Sequence, residues 1–380
     1  MKITSLLILF LLPFLCLAQL KENEKDNKTE LKVEKTPSES INNNTPIKDQ
    51  ILEEKFISIG GIEQWITIKG EDSTKPVLLF LHGGPGSVLS PYADAIFNDW
   101  KKDFILVQWD QRGSGRTFGH NAPIELSPKY FKENPLTVDQ MVTDGIELSE
   151  YIIKHLGKQK IIILGTSWGS VLGTNMAIKR PDLFYAYIGH SQVVNPTYDL
   201  IFDYQKVLKM AQDKNDQKSI DILNSIGIPP YANARNNGRL IRVIKEYEKN
   251  NSIASPNKWW VLPEKYNTKK DIQHRSLGDD YSFISYIGHK GLGVDSMNSS
   301  INFMENGLNF KVPVFIIQGE EDILTPKKIT KDYFNKIKAP IKDFFLLPET
   351  AHGFNEAVIN KQYKILEEYI IPIIIMKELN

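Results

Sequence analysis

Apolar residues along the chain fall into two patterns. Short continuous runs rich in β-branched and aromatic residues recur at 76–81, 104–109, 161–164, 185–194, 312–317 and 344–347. Such runs suit strands buried on both faces of a parallel sheet. Between them lie helix-spaced stretches. Thr137 and Gln140 form a capping box, and Gly157 supplies the matching stop. Between these signals, Val138, Met141, Val142, Gly145, Ser149, Ile152 and Leu156 share one helix face. A second helix is predicted over 168–179, closed by Arg180-Pro181. Ser90-Pro91 and Thr325-Pro326 read as helix starts. Strand–helix alternation of this kind predicts an α/β fold with a mostly parallel central sheet. Ahead of it, the runs 56–59 and 62–68 flank Gly60-Gly61 and read as a hairpin. The apolar run 370–376 is too short to span a membrane, is interrupted by Pro372, and should pack on the body.

The pattern changes at Asn195. Helical stretches are expected at 198–212, 220–226 and 239–249, broken by Pro229-Pro230, Asn236-Asn237-Gly238 and Ser255-Pro256. No strand-like run returns before Val312. We therefore expect residues 51–194 to form the first part of a core, 195–307 an inserted helical cap, and 308–380 the second part of the core. Inserted caps exclude water and select substrate. Trp259 and Trp260 either line the covered pocket or pack the cap. Asp199, Asp203, Glu246 and Glu248 could recognise an amine, although a solvated helix face accounts for most of them.

Chemistry concentrates where strand 161–164 meets helix 168–179. The junction reads Gly165-Thr166-Ser167-Trp168-Gly169. Gly-x-Ser-x-Gly by itself is a weak pattern in a chain with 24 glycines. Placed between a strand and a helix it becomes the nucleophile elbow of the α/β-hydrolase fold. The sharp turn crowds the backbone, so Gly165 and Gly169 must be small. It lifts the Ser167 hydroxyl clear of the sheet and aims the Trp168 amide at a developing oxyanion. The loop His82-Gly83-Gly84-Pro85-Gly86 follows strand 76–81 and offers the second oxyanion donor. Pro85 has no N–H, which leaves Gly84, with Gly83 as the alternative. His82 precedes the serine at a strand end and is read as a brace for the loop.

An acid just past strand 312–317 would orient the base. Asp322 fits best, with Glu320 and Glu321 as competitors by charge. Of seven histidines, only His352 follows both serine and acid on a short loop past a strand. The order Ser, Asp, His is that of α/β-hydrolases. His274 and His289 lack a ligand pattern, so neither a metal nor a cofactor is expected.

Composition adds context. The 46 basic and 46 acidic residues balance, which argues against a nucleic-acid partner. Met1 to Ala18 reads as a signal peptide, with Lys2, the apolar core 6–17 and a cut before Gln19. This predicts export to the periplasm or beyond, with no stable membrane span after cleavage. A lipidated Cys16 is the alternative, although Leu15 stands where such signals usually carry a small residue. Cys16 is the only cysteine, so a mature chain without it has no disulfide. Residues 19–50, rich in Lys, Glu, Asn and Thr, read as a disordered linker.

Together, His82-Gly-Gly-Pro-Gly86, Asp110-Gln-Arg-Gly-Ser-Gly-Arg116, Gly165-Thr-Ser-Trp-Gly-Ser170, Gly319-Glu-Glu-Asp322 and Ala351-His-Gly353 resemble the proline iminopeptidase-like family of α/β-hydrolases. The resemblance spans roughly residues 51–372. It implies Ser167 as nucleophile, His352 as base, Asp322 as acid, and Gly84 with Trp168 as the oxyanion hole. It also favours an ordered loop in which Asp110 and Arg112 pair and shape the rim of the site. Family aminopeptidases hold the substrate's free amine with cap glutamates, which have no clear counterpart in this sequence. Gly189-His-Ser-Gln-Val-Val-Asn195 also departs from the usual continuation, where an arginine–glycine pair is common. The leading expectation is an aminopeptidase acting on small peptides through an acyl-enzyme. An ester or amide hydrolase with a different cap is the alternative. A non-catalytic binding protein on the same scaffold is a third reading, against which the complete Ser, Asp, His set counts.

Overall fold

The computed structural model describes residues 49–122 and 126–378. The proposed signal peptide and nearly all of the proposed linker lie outside the described residues. Eight strands form one sheet in the order β1-β2-β4-β3-β5-β6-β7-β8. β1 (Ile51–Ile59) and β2 (Ile62–Gly70) make the antiparallel hairpin, with Ile59 opposite Ile62. Gly60 and Gly61 turn it with φ of 57° and 77°, values that cost glycine little. β2 also pairs antiparallel with β4 (Ile105–Asp110). The rest of the sheet is parallel: β3 (Val77–Leu81), β5 (Ile161–Thr166), β6 (Phe184–His190), β7 (Val314–Gly319) and β8 (Lys342–Leu347).

Helices cover both faces, which is why the central strands are apolar throughout. Leu79, Val107, Ile163, Tyr187 and Ile316 face one layer. That layer includes α4 (Val138–His155), α5 (Trp168–Lys179) and α11 (Lys327–Lys336). Leu78, Phe80, Ile162, Leu164, Phe315 and Ile317 face the other. There they meet α1 (Ala93–Phe97), α12 (Glu356–Ile365) and α13 (Ile371–Glu378). Short α2 (Gly115–Asn121) and α3 (Pro128–Glu133) follow β4.

Between β6 and β7 the chain makes α6 (Pro196–Asp213), α7 (Gln217–Ile226), α8 (Ala234–Asn250), α9 (Lys269–Ile287) and α10 (Phe303–Asn306). The first three match the expected helical stretches with longer ends. α9 was not foreseen. Its mixed polar and apolar faces hide the helical period, although the Thr268 cap, bonded to the Asp271 N–H, and Gly288 at its end were readable signals.

Three boundaries differ from expectation. The strand predicted to reach Val194 stops at His190, because Ser191 takes φ 50° and turns the chain away. Val193 and Val194 are still buried, so their apolarity marked packing and not strand. Ser90-Pro91 lies ahead of α1, which starts at Ala93. There Ser90 spends its hydroxyl on Asp110 at 2.6 Å. The tail run continues α12 through one π-helical turn, Leu366–Ile370, into α13. Ile370, Ile373 and Ile374 are buried on the body.

α5 lies close against β6 because Gly173 has no side chain: an added Cβ would collide with the fully buried Tyr187 ring. Gly173→Ala is therefore expected to destabilise the fold by about 1–3 kcal/mol, read as a lower thermal or denaturant midpoint. An unchanged midpoint would show that the α5–β6 contact is looser than described.

Candidate active site

β5 ends at Thr166 and α5 begins at Trp168, so the whole reversal falls on Ser167. Ser167 has φ 53° and ψ −120°, a conformation L-residues adopt only when their surroundings impose it. Its N–H is tied to the His190 carbonyl at 2.9 Å. A Cβ at Gly165 would strike the Gly169 carbonyl, and one at Gly169 would strike the Leu81 carbonyl. The small residues of the motif are thus required by backbone meeting backbone.

Asp322 follows β7 and is fully buried. Its carboxylate accepts bonds from the Thr325 N–H at 2.9 Å and the Thr325 hydroxyl at 2.7 Å. Burial alone would raise its pKa. The adjoining His352 and the Thr325 bonds outweigh burial and hold the carboxyl well below the ordinary carboxylate range. His352 follows β8. Its Nδ1 is 3.1 Å from both Asp322 oxygens, and its Nε2 is 2.9 Å from Ser167 Oγ. The hydrogen-bond chain fixes the tautomer: Nδ1–H donates to Asp322, leaving Nε2 to accept from the serine. Of the competing acids, Glu320 pairs with Lys327 at 3.1 Å on the surface, and only Asp322 reaches the imidazole.

The glycine loop lies beside the serine. A Cβ on Gly83 would sit 3.3 Å from Ser167 Cβ. Gly84 has φ +111°, and a Cβ there would crowd the Gly86 and Ser87 amides. Trp168 opens α5, so its N–H has no intrahelical partner. His82 is buried. Its Nδ1 donates to the Gly83 carbonyl at 2.9 Å, and its Nε2 accepts from the Gln111 N–H at 3.2 Å. Burial, opposed by the Gly83 bond, lowers its pKa to about 4, so it is a neutral brace. Gln111 returns a bond to the His82 carbonyl and accepts from Trp168 Nε1 at 3.0 Å. One glutamine thereby ties the loop after β4 to the glycine loop and to the elbow.

The expected Asp110–Arg112 pair does not form. Arg112 reaches the other way, to Asp144 on α4 at 2.7 Å and to the Gly60 carbonyl. Asp110 is buried and accepts from Ser90 and from the Arg116 N–H at 2.9 Å. Burial wins over these bonds and raises its pKa to about 6. The loop is ordered as expected, through different partners.

The acids of the insertion also differ from expectation. Glu246 is exposed, but Asp199, Asp203 and Glu248 are buried. One carboxyl oxygen of Asp199 and one of Asp203 have no hydrogen-bond partner among the described residues. Burial raises Asp199 to about 8. Burial together with Asp199, Asp322 and Glu248 drives Asp203 well above its usual range. Sequence spacing had not pointed to Asp279 and Asp280 on α9. Asp279 meets the glycine loop through the Ser87 hydroxyl at 3.2 Å. Asp280 is raised to about 7 by burial and by Asp279. Nothing in a helix carrying both residues tells a sequence reader that it crosses the glycine loop. Trp259 packs into the core layer under the sheet, and Trp260 stacks edge-on against Tyr92 at 5.3 Å. Among the described residues, no group of three His, Cys, Asp or Glu side chains is arranged to hold a metal.

A family profile described as the alpha/beta hydrolase fold matches residues 76–221. A probable aminopeptidase of Bacillus subtilis, YbaC, is 29% identical over 307 residues, covering 81% of this chain and 92% of that protein. A proline iminopeptidase of Clostridioides difficile is 24% identical over 321 residues, covering 84% and 98%. The chain has the α/β-hydrolase fold and is similar in sequence to an aminopeptidase and to proline iminopeptidases. Among solved structures, the proline iminopeptidase of Mycobacterium smegmatis superposes with a TM-score of 0.55 at 15% identity, covering 86% of this chain and 98% of that one. It shares the fold. These similarities support an enzyme of the hydrolase class.

The buried acids carry a pH signature. Between the ordinary value of 3.8 and about 8, folded Asp199 keeps a proton that the unfolded chain has released. Its contribution to stability therefore falls as pH rises through that window. Asp199→Asn is expected to raise the melting temperature at pH 8 and to leave it nearly unchanged at pH 4. Equal shifts at both values would show that Asp199 titrates normally.

Proposed function

We propose that this protein is a serine hydrolase that removes the N-terminal residue from small peptides. The observation that carries the reading is the continuous hydrogen-bond chain from Ser167 through His352 to Asp322. In the proposed reaction, Ser167 Oγ attacks the scissile carbonyl while His352 Nε2 takes its proton. Asp322 holds the imidazole and stabilises the imidazolium. The Trp168 and Gly84 amides receive the oxyanion. His352 then protonates the leaving amine, the acyl-enzyme forms on Ser167, and water activated by His352 releases the product. The helical insertion acts as a cap over these loops.

Substrate choice follows from the acids. Asp199 and Asp203, one helical turn apart on α6, offer unpartnered oxygens within electrostatic reach of Asp322. We assign them to the substrate's free ammonium group, whose charge would compensate their burial. The aminopeptidase names of the relatives support this assignment. One observation favours an ester or amide hydrolase instead: an acid that keeps its proton up to about pH 8 offers little charge to an amine at neutral pH. We also place the enzyme outside the cytoplasm, on the leader-like Met1 to Ala18.

Aminoacyl-naphthylamides, including prolyl and alanyl, tested beside short-chain nitrophenyl esters separate these readings. Ser167→Ala is expected to lower turnover by about 10³-fold or more with the fold retained. Wild-type turnover in that variant would overturn the assignment. Asp203→Asn is expected to raise KM for free-amine substrates about tenfold and leave esters unaffected. Ester cleavage alone, insensitive to Asp203, would establish the second reading.

A further inference from the structure

Helix α8 belongs to the insertion, yet two of its side chains end on the loops that carry the acid and the base. Glu248 is buried. Its Oε1 accepts the Ile323 N–H at 2.9 Å and the Leu324 N–H at 3.4 Å, the two amides directly after Asp322. Its Oε2 accepts from Lys245 Nζ at 2.7 Å. The same Lys245 ammonium donates to the main-chain carbonyl of His352 at 3.0 Å. Just past α8, the Ile253 N–H donates to the Glu349 carbonyl at 2.8 Å, and Asn355 Nδ2 donates to the Ile253 carbonyl at 3.3 Å. The segment carrying His352 is thus held on both sides by the insertion.

That segment needs holding. Three residues before His352, Glu349 has φ 48°, a left-handed conformation that is costly for a residue with a side chain. Backbone of this kind persists only where surrounding contacts over-determine it. The carboxylate–imidazole distance depends on two loops that follow different strands, β7 and β8. Lys245 and Glu248 join those loops through one ion pair, with Glu248 buried and Lys245 partly buried. Breaking one partner leaves a buried charge uncompensated, so the pair acts as a unit.

We propose that Lys245 and Glu248 are positioning residues that set the Asp322–His352 geometry, so that the base is fully assembled only when α8 is docked. Neither side chain is placed at the reacting atoms. Their effect travels through the main chain of the two loops. The proposal rests on the serine-hydrolase reading above, and the readouts separate failure of one from failure of the other.

The test compares Lys245→Met, Lys245→Arg and Glu248→Gln with wild type. It uses steady-state kinetics on whichever substrate shows Ser167-dependent turnover, and the rate at which a fluorophosphonate modifies Ser167. Lys245→Met is expected to lower kcat and the modification rate about tenfold to a hundredfold, the scale of a small misplacement of a reacting group. KM should stay within about twofold, because no substrate contact is removed. Lys245→Arg keeps the charge and the donors, and is expected to restore most of the rate. Glu248→Gln keeps an acceptor for the Ile323 and Leu324 amides but loses the ion pair, and should fall between the two. Thermal melts report whether each variant is folded at the assay temperature. Lys245→Met with wild-type kcat and modification rate would overturn the proposal while leaving the serine reading intact. So would a loss confined to KM, or a folded Lys245→Arg as slow as Lys245→Met. Wild-type protein whose Ser167 is not modified and supports no turnover would overturn the serine reading itself.

Discussion

The structure depends on a reversal with no spare room. A central parallel strand ends at Thr166 and a buried helix starts at Trp168, leaving one residue for the turn. The backbone of α5 then passes so close to the ends of β5 and β3 that carbonyl oxygens occupy the space a Cβ would need at Gly165 and Gly169. Ser167 is held at φ 53° by that geometry and by its bond to the His190 carbonyl. The strain is sustained by the apolar layers on both faces of the sheet, which fix strand and helix independently. The hydroxyl that emerges is in a single place, and every other part of the site is built toward it.

The remaining parts come from loops at the same edge of the sheet, and each loop is tied to another. Gln111 links the loop after β4 to the glycine loop and to Trp168. Thr325 fixes the Asp322 carboxylate from behind. The insertion reaches the glycine loop from α9, through Asp279, and the acid and histidine loops from α8, through Glu248 and Lys245. Burial supplies the electrostatics. It keeps His82 neutral and lifts Asp110, Asp199, Asp203 and Asp280, whereas Asp322 stays ionised because its partners outweigh the same desolvation.

Much of this was readable from the chain. Continuous apolar runs located the central strands, because a strand covered on both faces has no polar side to show. The elbow was legible because its glycines answer a local steric demand. Asp322 and His352 were legible because each follows a strand in the order that the fold imposes. What failed shares one cause. The family resemblance favours an Asp110–Arg112 pair, but Arg112 meets Asp144 on a distant helix. Asp199, Asp203 and Glu248 looked like a solvated face, and their burial comes from elements far along the chain. α9 was hidden because the face it buries, against α2 and the core, mixes Gly278, Tyr281, Ser282 and Ser285 and shows no continuous apolar stripe.

The sequence by itself determined the sheet-and-helix order, the strained serine and the strand ends from which Asp322 and His352 reach it. Each of these depends on short-range sterics, burial period or chain order, which neighbouring residues encode. Only the tertiary structure decided which carboxylates lost water, which arginine met which aspartate, and how α8 came to hold the two loops behind His352. Those outcomes depend on where the insertion lands. Its position is set by the summed packing of residues far apart in the chain, and no local pattern records that sum.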